Sequence, residues 1–221
     1  MRRVFIMAIC ALLAVPAVAD LTARITVIDG PGSGDGGAFK ATVAAGTAVG
    51  IYEPGDTFLT FCIENNEYFN PGGTYYVAIN TAAVAGGSGG GSPDSLDPIS
   101  AALYTQWLGG DTSNVARATQ YQLAIWQQEG EAVYGTQWTK GDGTTALHTA
   151  YQAISQATIN ALIASVGNPG SIGNVRVMNL WVKADGTGLK QDMLVTVPVP
   201  AAVLLGLLGL GAAGVKLRKF V

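Results

Sequence analysis

The sequence predicts an α+β protein: a β-rich, sandwich- or barrel-like domain with an inserted helical segment, followed by one C-terminal transmembrane helix. Three observations predict it. As far as residue 80, short runs of β-branched and aromatic residues are separated by Gly, Pro, Asp and Asn. From residue 94 to 167 the apolar residues are spaced by threes and fours. Beyond residue 174 the strand-like runs return, and they give way to an apolar stretch with a basic end.

The N-terminus comes first. Arg2 and Arg3 precede an apolar run from Val4 to Val15, and Ala17-Val18-Ala19 stands before Asp20. A charged start, a short apolar core and a small-x-small site make a secretory signal, cut between Ala19 and Asp20. A membrane anchor is the alternative, and the short core with its cleavage site argues against it. Strands are then expected over 21–28, 38–43, 50–52, 57–64 and 74–79. The stretch 30–37, GPGSGDGG, reads as a loop. Asp29 and Asp35 beside it lack the repeat and the full ligand set of a calcium loop. The stretch 85–92, AGGSGGGS, is a flexible connector, without the Lys-Ser/Thr end that a phosphate cradle requires.

Three helices are expected next. The first covers 94–108, with Ser95 or Asp97 as cap and Ile99, Leu103 and Trp107 on one face. The second covers 114–128 and places Val115, Ala118, Gln122, Ile125 and Trp126 on one face, with an amide in the middle of an apolar stripe. A buried amide needs hydrogen-bond partners or another reason to be there. Leu147, Tyr151, Ile154, Thr158 and Ala161 mark the third helix, ending near Gly167. Strands over 174–182 and 189–197 follow, joined at Ala184-Asp185-Gly186. The Gly-rich connector is not a domain boundary, because the final strands return to the first sheet. The chain thus divides into a signal (1–19), one domain (20–196) and a C-terminal segment (197–221). In that last segment residues 199–215 form the membrane span, ending in Lys216, Arg218 and Lys219, which hold the tail in the cytoplasm.

Composition excludes several function classes. Net charge is −3, only 12% of residues are charged, and the cations form no patch, so nucleic acid is not a partner. The one histidine, His148, gives no paired-histidine motif; no metal site and no cofactor are expected. A Cys62/His148 hydrolase is formally possible, but a surface or capping histidine is the simpler reading. There is no G-x-S-x-G elbow. Glu129 and Glu131 read as an exposed acidic helix end. The chain is therefore not expected to be a turnover enzyme.

Cysteine usage is more informative. Cys10 leaves with the signal, so Cys62 is the single cysteine of the exported domain and can close no internal disulfide. It is a buried inert thiol, half of an intermolecular disulfide, or a thiol consumed by other chemistry. A free thiol outside the cell is open to oxidation.

The residues around it match a known pattern. Phe61-Cys62-Ile63-Glu64, followed downstream by Gln122-Leu123-Ala124-Ile125-Trp126, resembles the thioester domain of bacterial surface adhesins. The resemblance implies an internal thioester between the Cys62 thiol and a glutamine carboxamide, formed with loss of ammonia. Anchoring on Ala124-Ile125-Trp126 selects Gln122. The family's Thr immediately before the glutamine is replaced by Tyr121, and Thr119-Gln120 repeats the pair two residues early, so Gln120 is the register alternative. The resemblance further implies covalent adhesion to an amine or hydroxyl nucleophile on a surface or matrix, with Phe61, Tyr121 and Trp126 shielding the bond from water. Val197-Pro198-Val199-Pro200-Ala201 resembles the PEP-CTERM sorting signals, in particular the VPLPA type, with Val199 departing from the usual residue between the prolines. That implies an exosortase-type processing enzyme as partner, and a product exported by the Sec pathway, anchored by its C-terminal helix and then displayed or released. The alternative is a structural, matrix-associated module with the same fold and no thioester, its glutamine satisfied and its thiol inert.

Overall fold

The computed structural model describes residues 21–33, 36–65, 67–87, 91–131 and 154–198. Its body is a six-stranded sheet. The strands are β1 (Arg24–Asp29), β2 (Phe39–Val43), β3 (Thr57–Thr60), β4 (Thr74–Asn80), β7 (Val175–Trp181) and β8 (Leu189–Thr196). The short β5 (Ala82–Ala83) and β6 (Asp94–Ser95) pair with each other. Strand order is β3-β2-β1-β4-β7-β8, with every pairing antiparallel. The last two strands join the first sheet through β4.

The two outer strands of this order also meet each other. Beyond β3 the chain continues extended, and Cys62 bridges Met193 of β8. The Leu194 N–H donates to Phe61 O at 3.0 Å and the Ile63 N–H to Asp192 O at 3.1 Å. The buried Thr60 hydroxyl donates to Leu194 O at 2.6 Å. The sheet therefore closes on itself, and this seam replaces two exposed strand edges with hydrogen bonds.

Among the described residues, three helices, α1 (Pro98–Leu108), α2 (Val115–Gln128) and α3 (Gln156–Ser165), lie between β6 and β7. Asp97 caps α1 by accepting from the Ile99 N–H, with proline at the first helical position, where its missing N–H costs nothing. Asn114 caps α2 and Ser155 caps α3. The guanidinium of Arg117 donates to Trp107 O and Gln106 O at the C-terminal end of α1, where positive charge is favoured, and to Asp111 O in the connection that follows, at 2.8–3.1 Å. One side chain thus ties the first turn of α2 to the end of α1. A Cβ at Gly110 would sit 2.6 Å from that guanidinium, so a larger residue there would have to displace the Arg117 side chain. Helix α1 docks on the sheet through aromatic contacts: Phe61 lies 4.4 Å from Trp107 between ring centroids, and the Tyr104 hydroxyl donates to Leu59 O at 2.7 Å.

Several local expectations are corrected. Residues 50–52 form no strand, only a bridge between Val49 and Tyr52. Asp94 and Ser95 pair as β6, so α1 begins later than expected and its cap is Asp97 rather than Ser95. Ile154 precedes the Ser155 cap, so α3 starts at Gln156, while Leu147, Tyr151 and His148 lie outside the described residues. On α2, Val115 is 56% exposed, whereas Tyr121, Leu123 and Ala124 are buried along with the expected face. This helix packs against both α1 and α3 and meets the segment after β3 through Gln122, rather than being buried along one stripe.

Among the described residues no helix is long and apolar enough to cross a membrane. The expected span over 199–215, with Lys216, Arg218 and Lys219, lies outside them, as do Val199, Pro200, Ala201 and the signal site at Ala19 and Asp20.

Candidate functional site

The seam fixes the geometry of Cys62. Its neighbours Phe61 and Ile63 turn their backbone groups toward β8. By the alternation of an antiparallel ladder, the N–H and C=O of Cys62 point the other way. Among the described residues no strand lies there, since β2 pairs with β3 only through residues 57–60. The partner is a side chain. The Cys62 N–H donates to Gln122 Oε1 at 3.0 Å, and Gln122 Nε2 donates to Cys62 O at 2.8 Å. A carboxamide, one acceptor beside one donor, occupies the place a neighbouring strand's peptide group would take.

Cys62 is 1% exposed and Gln122 is fully buried. Burial pushes the Cys62 thiol well above its ordinary value, and the nearby negative charge of Glu64 adds to the effect. The sulfur is therefore held as a neutral thiol. Of the two glutamines in register, Gln122 reaches Cys62; Gln120 is half-buried on the same helix, and no hydrogen bond joins it to Cys62. Phe61, Tyr121 and Trp126 are all buried.

A carboxylate cluster lies immediately downstream of the cysteine. Glu64 and Glu67 follow Cys62 on the chain, Asp192 comes from β8, and one oxygen of each lies within 4.8 Å of the others. Asp192 Oδ2 accepts from the Val84 N–H at 2.7 Å, and Glu64 Oε2 from the Asp192 N–H at 3.3 Å. Burial, then the charges of Asp192 and Glu67, raise the Glu64 carboxyl to about 10. Glu67 is raised to about 7 and Asp192 to about 6, in both cases mainly by burial. Sequence reasoning missed this cluster because Glu64 and Asp192 are 128 positions apart and only the seam joins them. The acidic content of β8, LKQDMLVT, was the available signal: a charged residue in the middle of an apolar strand.

Glu129 and Glu131 also depart from expectation. Both are buried, at 9% and 5% exposure, rather than forming an exposed acidic end. Glu129 accepts from the Asp97 N–H, and burial raises it to about 7. Glu131 accepts from the Asn65 N–H, and its backbone carbonyl accepts from the Asn65 amide. These contacts tie the end of α2 to the segment that follows Cys62.

The chain matches no protein-family model, no curated protein and no solved structure.

Proposed function

We propose that this is an exported surface protein that grips a nucleophile covalently through an internal Cys62–Gln122 thioester. One observation carries the reading. Residues sixty positions apart, the cysteine of the exported domain and one glutamine, are joined by two hydrogen bonds in a site closed to solvent. In the bond-forming step the Cys62 sulfur adds to the Gln122 carboxamide carbon. The carbon–nitrogen bond then breaks, and ammonia leaves with the thiol proton, so no outside reactant is consumed. The Cys62 N–H, already on Oε1, is placed to polarise the carbonyl as charge develops on it. An arriving amine or hydroxyl would later break the carbon–sulfur bond, form an amide or ester, and return the thiol. This is single-use binding without turnover.

The remaining parts of the reading rest on sequence. A Sec-type signal ending at Ala19, the motif from Val197 to Ala201 and the apolar segment 199–215 support export, membrane anchoring and processing by an exosortase-type enzyme. The partner is then a protein amine or polysaccharide hydroxyl on a surface or matrix.

A second reading has its own observation. Both polar ends of the Gln122 amide are already satisfied by the Cys62 backbone, which suffices to explain a buried glutamine without any covalent bond. In that case the chain is a non-covalent structural module. Intact mass decides between them. The covalent reading expects the purified protein to weigh one ammonia less than its sequence and to gain methylamine on incubation, with both effects absent in Cys62→Ala. A mass equal to the sequence, with Cys62 alkylated on unfolding, leaves the structural module.

A further inference from the structure

The carboxylates of Glu64, Glu67 and Asp192 have no role in the thioester reading, yet their burial together is costly. Glu64 is 1% exposed and Asp192 fully buried. Three oxygens, Glu64 Oε1, Glu67 Oε2 and Asp192 Oδ1, are shut off from solvent without a hydrogen-bond partner. No cation among the described residues acts on Glu64: the charges that reach it, those of Asp192 and Glu67, are negative. Glu131 adds another negative charge beside Glu67. Removing one carboxylate from water costs several kcal/mol if nothing offsets it. Three in one place require a counter-charge or protons.

The spacing favours a counter-charge. Oxygens bound to one calcium ion at about 2.3–2.6 Å are separated by at most about 4.6–5.2 Å, whereas around magnesium the limit is about 4.2 Å. One oxygen of each carboxylate lies within 4.8 Å of the others, inside the calcium limit. The donor set is all oxygen and carries three potential negative charges, which suits a hard divalent cation rather than zinc or copper.

We propose that Glu64, Glu67 and Asp192 bind a calcium-class divalent cation at the barrel seam. The ion takes up the three unpartnered oxygens and links the segment following Cys62 to β8, across the line where the Ile63 N–H meets Asp192 O. Its oxygen ligands come from both sides of the closure, so it binds the closed barrel and not the open one, and it stabilises the closed form by mass action.

The test uses the full-length protein in detergent, stripped with chelator and titrated with calcium chloride or magnesium chloride. Calorimetry should show one calcium per chain with a dissociation constant of about 1 mM or tighter, in the range of extracellular calcium modules, and weaker magnesium binding. The thermal midpoint should rise with calcium. Glu64→Gln and Asp192→Asn should each weaken calcium at least about tenfold. Without metal these variants should unfold at or above the wild-type midpoint, since a neutral amide keeps the hydrogen bonds and leaves no charge to be buried there. If either fails to fold, the half-buried Glu67→Gln serves instead. Cys62→Ala should bind calcium as the wild type does, which separates this proposal from the thioester. Folded wild type giving neither heat nor midpoint shift up to about 10 mM calcium would overturn it, as a cluster held by protons alone behaves. So would undiminished calcium binding in the carboxamide variants.

Discussion

The Gln122 amide serves as a substitute strand, and the cost of removing it follows from the hydrogen bonds it makes. Gln122→Met keeps an unbranched side chain of similar length but leaves the Cys62 N–H and C=O with no partner in a site closed to water. An unsatisfied buried backbone group costs about 1–3 kcal/mol, so the pair costs about 2–6 kcal/mol. Against a total stability of roughly 5–15 kcal/mol for a domain of ordinary size, that is a large fraction. The comparison is best made in a Cys62→Ala background, where no covalent bond can contribute and the backbone groups at position 62 are unchanged. Urea unfolding followed by far-UV circular dichroism reads the effect. With an m-value of about 2 kcal/mol/M, the midpoint should fall by about 1–3 M. Gln120→Met on the same helix is the control, expected within about 0.5 kcal/mol because that side chain is half-buried and not bonded to Cys62. A Gln122→Met loss under about 1 kcal/mol, or one no larger than the control's, would refute the view that this carboxamide holds the Cys62 backbone.

Two further predictions concern α2. Glu129 is raised by burial from 4.5 to about 7, with Asp97 and Asp94 adding to the shift and the Ser100 hydroxyl and Asp97 N–H opposing it. The folded form therefore holds a proton that the unfolded chain releases, so stability is highest below about pH 4.5 and falls as pH rises through 7, by roughly 3 kcal/mol for this group. Glu129→Gln should remove that part of the decline, and urea midpoints at pH 5 and 8 for both proteins measure the difference. Asn114→Ala removes the acceptor of the Arg117 N–H at 3.0 Å and should cost about 1 kcal/mol in thermal or urea unfolding.

The order of strands and helices was legible because each carries its own period. Residues 38–43, 74–79, 114–128 and 189–197 all fall within a residue or so of β2, β4, α2 and β8. Local chemistry also narrowed the α1 cap to Ser95 or Asp97, of which Asp97 is the cap, and marked the turn at Asp185, whose carboxylate accepts from the Thr187 N–H and hydroxyl. What periodicity could not supply was the environment of each face. Val115 fits the α2 stripe but lies in the exposed first turn, while Glu129 and Glu131 look like a solvated end and are buried by contacts with Asp97 and Asn65. The pairing of Cys62 with Gln122 was suggested by a motif resemblance and not by spacing, since sixty positions of chain leave the approach undetermined. The carboxylate cluster was not legible at all. It is created by the seam, a long-range contact between the first and last strands of the sheet order.

That seam also sets the terms for any covalent chemistry. Where Cys62 and Gln122 sit, water is excluded, which would preserve an activated acyl group, but an incoming amine is excluded as well. A thioester here would be reachable only through an opening. The seam is the element best suited to give way, because Phe61–Ile63 and β8 share two backbone hydrogen bonds, whereas β7 and β8 pair along most of their length, with one register shift between Met178 and Leu180. Separating the seam frees one side of the Cys62 segment while α2 still holds the other through Gln122. The same short contact would thus govern how long the bond survives and how readily a nucleophile reaches it, and Glu64 and Asp192 stand on its two sides.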